Sequence, residues 1–280
     1  MKIASWNVEG RLTSRTSKKR GTPEHILRGI KTLDADIVVL PEAYSSALNL
    51  GIENKLRELG YQYWQDAEYD EHDREKENTS ADDLHIRVLS RLPILKTEQL
   101  KWNNARGMLS VTVKDPATGH LIRIIATHLD DRSEERRLAQ IKDAIAFVNS
   151  SDLPTVMMGD FNAMHDDKWS RLIGSKVVKS LSTLIPHERA RGLALQLTEM
   201  ATGATLGRLE KETRLRDIDD AHRPTTTPKL YGIEWMPSIR MAQIDHIFVS
   251  PEIRASDFRI ARDSGSDHRA ISANITLKTL

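Results

Sequence analysis

Apolar residues in this chain come in short bursts that stop at polar side chains, and the bursts alternate between strand and helix periods. Residues 2–8 follow the two-residue period of a strand and run out at Asn7-Val8-Glu9-Gly10. Thr22-Pro23-Glu24 places proline just after an N-cap residue, and Ile26, Ile30 and Leu33 make the helical stripe behind it. Asp36-Ile37-Val38-Val39-Leu40 reads as a buried strand that stops at Pro41-Glu42. A helix over about 45–59 closes at Gly60, and Tyr61-Gln62-Tyr63-Trp64 opens another strand. Strands and helices in alternation predict an α/β fold.

Residues 66–83 are dense in Asp, Glu, Lys and Arg and read as an exposed, mobile charged loop. Strands resume at 84–89 and 94–100, and 108–113 pairs with 121–126 as a hairpin around Pro116-Ala117-Thr118-Gly119. Ser133 caps a helix to about 148, with Leu138, Ile141, Ile145 and Val148 at helical spacing. Residues 154–159 form a strand ending in Gly159-Asp160-Phe161-Asn162. From 166 to 240 the pattern is helical and loop-like, clearest as helix over 188–200, and Pro224-Thr225-Thr226-Thr227-Pro228 fits no regular interior element. Strands at 244–249, 258–261 and 270–275 close the chain. No fixed-period repeat or composition break divides it. The expectation is one domain over residues 1–280, an α/β sandwich of two packed, mostly antiparallel sheets with helices outside.

Composition narrows the function classes. Of 280 residues, 39% are hydrophobic, enough for a large core, while 41 basic residues nearly cancel 40 acidic ones. The net charge of +1 gives no global field of the kind dedicated nucleic-acid binders carry, so any polyanion site must be local. With no cysteine, disulfide-linked partners, thiolate metal sites and a cysteine nucleophile are excluded. A strand pattern begins at once, without a signal-peptide run, and no apolar stretch approaches the ~20 residues of a membrane span. The expectation is a cytoplasmic monomer without stable membrane association.

Apolar runs end in a carboxylate, carboxamide or imidazole at Asn7, Glu42, His128, the Asp160/Asn162 pair and Asp245-His246, and Ser266-Asp267-His268 precedes the last strand. Each has an ordinary explanation alone, as a turn residue or a surface carboxylate. Jointly they are the residue types that hold a hard divalent ion. Asn7, Glu42, Asp160, Asn162 and Asp267 offer oxygens and no sulfur, which suits Mg²⁺, with Mn²⁺ as substitute. Zinc draws more His or Cys. His128 and His268 remain for proton transfer or phosphate contact, and Asp245 with His268 is a pair that can fix a tautomer.

Taken in order, Ser5-Trp6-Asn7-Val8, Leu40-Pro41-Glu42, Ala126-Thr127-His128-Leu129, Gly159-Asp160-Phe161-Asn162, Ile244-Asp245-His246-Ile247 and Ser266-Asp267-His268 resemble the motifs of the endonuclease/exonuclease/phosphatase superfamily. The resemblance spans residues 5–268 and implies a four-layer, deoxyribonuclease I-like α/β sandwich. It implies metal-site roles for Asn7, Glu42 and Asp267, with Glu42 the principal ligand. Asp160 would orient or deprotonate the attacking water, and Asn162 would help hold the water or a phosphate oxygen. His268, supported by Asp245, would contact the phosphorus centre or move a proton, with His128 as a second histidine beside the scissile phosphate. The sequence departs from the pattern at Pro41, where relatives often have Gln. Arg106 stands near the place of a phosphate-touching tyrosine and is a candidate substrate contact, or a surface arginine. The 166–240 region falls where relatives differ most and would shape the substrate mouth. Within it Tyr231 and Trp235 are candidate stacking residues, a core role for Trp235 being equally open.

Arg15, Lys18, Lys19 and Arg20 follow the first polar strand end and are candidates for steering phosphate, or a solvated basic loop. The expected activity is a metal-dependent nuclease on DNA, of the repair, abasic-endonuclease or exonuclease type. A phosphodiesterase or phosphatase acting on a phospholipid, inositol phosphate or other small phosphoester is the alternative. A catalytically inactive binding protein on the same scaffold is the third.

Overall fold

The structure, a computed structural model, describes residues 1–8, 23–43, 50–67, 86–102, 106–186, 188–226, 242–262 and 266–278. In chain order the elements are β1 (Lys2–Ser5), α1 (Pro23–Leu33), β2 (Ile37–Leu40), α2 (Leu50–Glu58), β3 (Tyr63–Asp66), β4 (Arg87–Ser90), β5 (Lys96–Trp102), β6 (Arg106–Lys114) and β7 (Leu121–His128). Then come α3 (Glu134–Asn149), β8 (Thr155–Asp160), α4 (Lys168–Ile173), α5 (Lys176–Thr183), α6 (Glu188–Met200), α7 (Ala204–Glu212), β9 (Arg216–Asp217), β10 (Asp245–Val249), β11 (Ile253–Ile260) and β12 (Ile271–Leu277).

The strands form two six-stranded sheets, ordered β11-β12-β1-β2-β4-β3 and β5-β6-β7-β8-β10-β9. Most neighbours are antiparallel. The parallel pairs are β1–β2 and β7–β8, each joined through a helix, α1 and α3, as a parallel connection requires. Strand β2 is apolar throughout because both its faces are covered. Ile37 and Val39 face the second sheet, packing in one core with Ile3, Leu109, Ile124, Val156, Met158 and Ile247. Val38 and Leu40 face the other way, onto Ile26 and Ile30 of α1 and Leu56 of α2. On the far side, Ile125, Met157 and Phe248 pack against Ile141 and Ile145 of α3 and Leu206 and Leu209 of α7. Helices, sheet, sheet, helices: four layers. No helix among the described residues is long and apolar enough to cross a membrane.

Some boundaries differ from the sequence expectation for identifiable reasons. The strand expected at 61–64 is Tyr63–Asp66, because Tyr61 drops into the core and its hydroxyl donates to the Ala35 carbonyl at 2.8 Å. Asp66 therefore ends a strand, where it accepts from the buried Arg87 guanidinium, and does not begin the charged loop; residues 68–83 lie outside the described ones. Strand β11 starts five residues earlier than the expected 258, its alternation masked by polar Arg254, Ser256 and Asp257 around a register shift. The helix expected at 45–59 is described only from Leu50.

Gly159 is required by the way β7 and β8 meet. Its φ is +152°, and a Cβ there would stand 2.0 Å from the Thr127 carbonyl oxygen of the neighbouring strand. Gly159→Ala must push β7 from β8, so we expect a loss of about 2–3 kcal/mol, seen as a Tm drop of roughly 5–10 °C. An unchanged melting curve would contradict the close approach.

Candidate active site

Strand direction decides where the polar ends go. The ends of β1 and β2 share one edge of the first sheet, and those of β7 and β8 share one edge of the second, because each pair is parallel. The antiparallel neighbours begin at those same edges, since Ile271 of β12 lies opposite Ser5 and Asp245 of β10 lies opposite Asp160. Asn7, Glu42, His128, Asp160, Asp245 and His268 are thereby gathered at one end of the sandwich.

Asp160 sits at the middle, 1% exposed. Its Oδ2 accepts from Asn7 Nδ2 at 3.0 Å, and its Oδ1 from the Asn162 backbone N–H at 2.9 Å. Asn7 Nδ2 also reaches Glu42 Oε1 at 3.1 Å. His128 Nε2 lies 3.6 Å from Glu42 Oε1 and 3.7 Å from Asp160 Oδ2, and His268 Nε2 lies 3.7 Å from that same Asp160 oxygen. These last separations are too long for direct hydrogen bonds and leave room for a small group between. His268 Nδ1 is anchored on Asp245, at 2.9 Å from Oδ2 and 3.1 Å from Oδ1.

Two residues of the site carry backbone strain. Glu42 and Asn162 both adopt left-handed conformations, with φ of 55° and 47°. Asn tolerates this region, but Glu seldom enters it, and such residues persist where the surroundings over-determine them. Asn162 is held further by its Nδ2, which donates to the Leu129 carbonyl at 3.0 Å.

Burial pushes the Asp160 carboxyl up to about 7, with the Asp245 charge adding to the rise, against the lowering effects of His268 and the donors Asn7 and Asn162. For His268, burial disfavours the charged ring, but Asp245 and Asp160 outweigh it and hold the imidazolium well above its usual range. Glu42, Asp160, Asp245 and Asp267 thus put several carboxylates beside two imidazoles in a largely buried space. An excess of buried oxygen donors of this kind fits a hard divalent cation.

Asp267 joins the group indirectly. The Ser266 hydroxyl lies 3.1 Å from Asp267 Oδ1 and 2.8 Å from the Asn7 carbonyl oxygen, tying the last motif to the first. Arg106 contributes its backbone to β6 opposite Trp102, but its side chain lies outside the described residues. Arg15, Lys18, Lys19, Arg20, Tyr231 and Trp235 lie outside them entirely.

Two supports escaped the sequence reading. Thr225, buried in the stretch read only as irregular, accepts the Ile244 and Asp245 N–H groups on its Oγ1, each at 3.2 Å, and its carbonyl takes the Arg269 N–H at 2.7 Å. It therefore holds Asp245 and the His268 segment together. Trp6 donates its ring N–H to the His268 carbonyl at 3.3 Å, and it fits because Gly29 of α1 has no Cβ, which would lie 2.6 Å from the indole. The proline-flanked threonines were the only available signal for the first; nothing local marks the second.

A model of the Endonuclease/Exonuclease/phosphatase family matches residues 4–268. No curated protein matches the sequence significantly. Among solved structures, an endonuclease/exonuclease/phosphatase from Beutenbergia cavernae DSM 12333 aligns with a TM-score of 0.67 at 19% identity, covering 99% of this chain and 71% of that one. D. rerio TDP2 complexed with single strand DNA product aligns at 0.64 with 14% identity, over 99% of this chain and 98% of that one. ANGEL2, a 2',3'-cyclic phosphatase, in complex with adenosine-2',3'-vanadate, aligns at 0.64 with 15% identity, over 99% and 96%. At these identities the likeness is one of fold.

Proposed function

Because the chain belongs to the endonuclease/exonuclease/phosphatase family, and is with it a metal-dependent phosphoester hydrolase, we propose that it is a nuclease acting on DNA, of the repair, abasic-endonuclease or exonuclease type. The observation that carries the reading is the meeting of Asn7, His128 and His268 around one buried carboxylate, Asp160. Each comes from a different strand end.

In this reading Glu42 and Asn7, with Asp267, hold Mg²⁺, or Mn²⁺ in its place. The ion when bound supplies a Lewis acid that offsets charge on a phosphoryl oxygen. Asp160 accepts a hydrogen bond from the attacking water and takes its proton, a task suited to a carboxyl whose pKa is lifted to about 7. His268, anchored through Nδ1, presents Nε2–H to the phosphate oxygens as negative charge builds there. His128 and Asn162 flank the same space.

DNA as the substrate is supported by the single strand DNA product bound to D. rerio TDP2, and by the basic side chains Arg15, Lys18, Lys19 and Arg20 that follow the Asn7 strand end in sequence. A small cyclic phosphodiester is the second reading, favoured by the similarity to ANGEL2. A panel of abasic duplex, single-stranded DNA, RNA, a 2',3'-cyclic phosphate and phospholipid, run with Mg²⁺ and with chelator, separates them. We expect DNA cleavage that chelator abolishes. Turnover of the cyclic phosphate with intact DNA would replace the first reading by the second. The proposed compartment is the cytoplasm.

Glu42→Gln keeps the side-chain length but removes the charge. It should raise the Mg²⁺ concentration for half-maximal activity by at least about tenfold. An unchanged Mg²⁺ titration would remove Glu42 from the ligand set.

A further inference from the structure

Asp245 and His246 are neighbours on β10, so their side chains leave opposite faces of the sheet. Asp245 faces His268. His246, fully buried on the other face, places Nδ1 2.7 Å from Asp217 Oδ2. His165, from the segment after β8, brings Nε2 to 2.8 Å from that same oxygen. The other nitrogen of His246, Nε2, lies 2.9 Å from the Ala163 carbonyl oxygen. A carbonyl only accepts, so Nε2 carries a hydrogen. In a neutral ring Nδ1 would then turn a lone pair toward a carboxylate oxygen. Two acceptors come that close only with a cation between them, either a second proton or a metal ion.

We infer that His165, Asp217 and His246 form a second divalent-metal site, of the zinc class, on the side of the sheet away from the reaction centre. Their ligand-capable atoms all lie within 4.8 Å of one another, and two imidazoles with one carboxylate are a zinc donor set, unlike the oxygen-rich group around Asp160. The atoms behind the ligands are fixed as metal ligands usually are. His246 donates to a backbone carbonyl, and Asp217 Oδ1 accepts the Asp219 N–H at 3.0 Å, which leaves Oδ2 turned to the histidines. Bonds of about 2.0–2.2 Å put tetrahedral ligand atoms roughly 3.3 Å apart, so each histidine nitrogen needs to part from Asp217 Oδ2 by only about half an ångström. His165, 9% exposed, is the member of the three nearest solvent, with the partly exposed ring of His222 stacked on it at 4.2 Å.

The site is structural. It ties β9 to β10, and through Ala163 it braces the segment that carries Asp160 and Asn162. It stands whether or not the substrate is DNA.

The test uses the whole chain with Glu42→Gln, which weakens the reaction-centre ion. Stripped with chelator and titrated with Co²⁺, this protein should bind one equivalent and develop visible ligand-field absorption. Adding His165→Gln should lower that affinity by at least about tenfold and remove the absorption. Equal binding and equal spectra in the two proteins overturn the site. A variant-free measurement stands beside it: crystals of the unaltered protein soaked in Zn²⁺ should show anomalous density between His165 Nε2, His246 Nδ1 and Asp217 Oδ2. Density only near Glu42, or none, means that a proton bridges the triad, and overturns the inference.

Discussion

Asp160→Asn is expected to lower kcat by about 10²–10⁴-fold while the fold and the need for a divalent metal persist. The substitution is nearly isosteric, so packing around a side chain 1% exposed is kept. What is lost is the base: a carboxamide takes no proton from water, and its one oxygen can face the Asn7 Nδ2 donor or the Asn162 N–H but not both. Single-turnover kinetics at saturating Mg²⁺, with circular dichroism as the folding control, read the effect. A variant as active as the parent removes Asp160 from proton transfer.

The same substitution leaves a signature in stability. Asp160 has a folded-state pKa of about 7, above its ordinary 3.8, so its contribution is greatest at low pH and is lost as pH rises toward and through 7. His268 acts in the same sense, stabilising below its unfolded value and losing that contribution as pH rises through its raised folded value. In chelator, the parent's Tm should therefore carry a declining component between about pH 4 and 7 that the Asn variant lacks. Coincident Tm–pH slopes would assign the burial strain to another group.

How much of this was legible beforehand follows from what each feature looks like along the chain. The four layers were, because β2, β8 and β10 are apolar runs with abrupt polar ends and α6 spans the expected Glu188–Met200. A meeting of Asn7, Glu42, His128, Asp160, Asp245 and His268 was also legible, because each stands at such an end, where a polar side chain breaks an apolar pattern. What holds them was not. Thr225 acts through side-chain hydrogen bonds to other segments, which have no period to detect. Strand β9 is two residues long, too short for alternation to appear. The left-handed backbone at Glu42 has no glycine to announce it. The His165–Asp217–His246 cluster was not legible either: His165 lies 52 positions from Asp217 and His246 lies 29 from it, and only the folded chain brings both rings to one oxygen.

Asp245→Asn is expected to cost about 10²–10³-fold in kcat with KM and the metal requirement little changed, if Asp245 acts through the His268 ring it touches and not on substrate. The buried carboxylate accepts from Nδ1 and supplies the charge that keeps the ring protonated. A carboxamide offers two outcomes, both harmful. If its oxygen keeps the Nδ1 hydrogen bond, the charge is gone and the imidazolium gives up its proton more readily. If its NH₂ turns to Nδ1, the ring loses its Nδ1–H and presents the phosphate with a neutral tautomer. Removing a negative neighbour lowers the pKa of a histidine, so the alkaline limb of the kcat–pH profile should move to lower pH. A purely packing role for Asp245 would depress kcat without moving that limb. The cycle with His268→Ala gives the sharper reading: once His268 is absent, changing Asp245 should cost little more, since the two act as one unit. Fully additive losses would mean that Asp245 reaches the chemistry by a route that bypasses the imidazole.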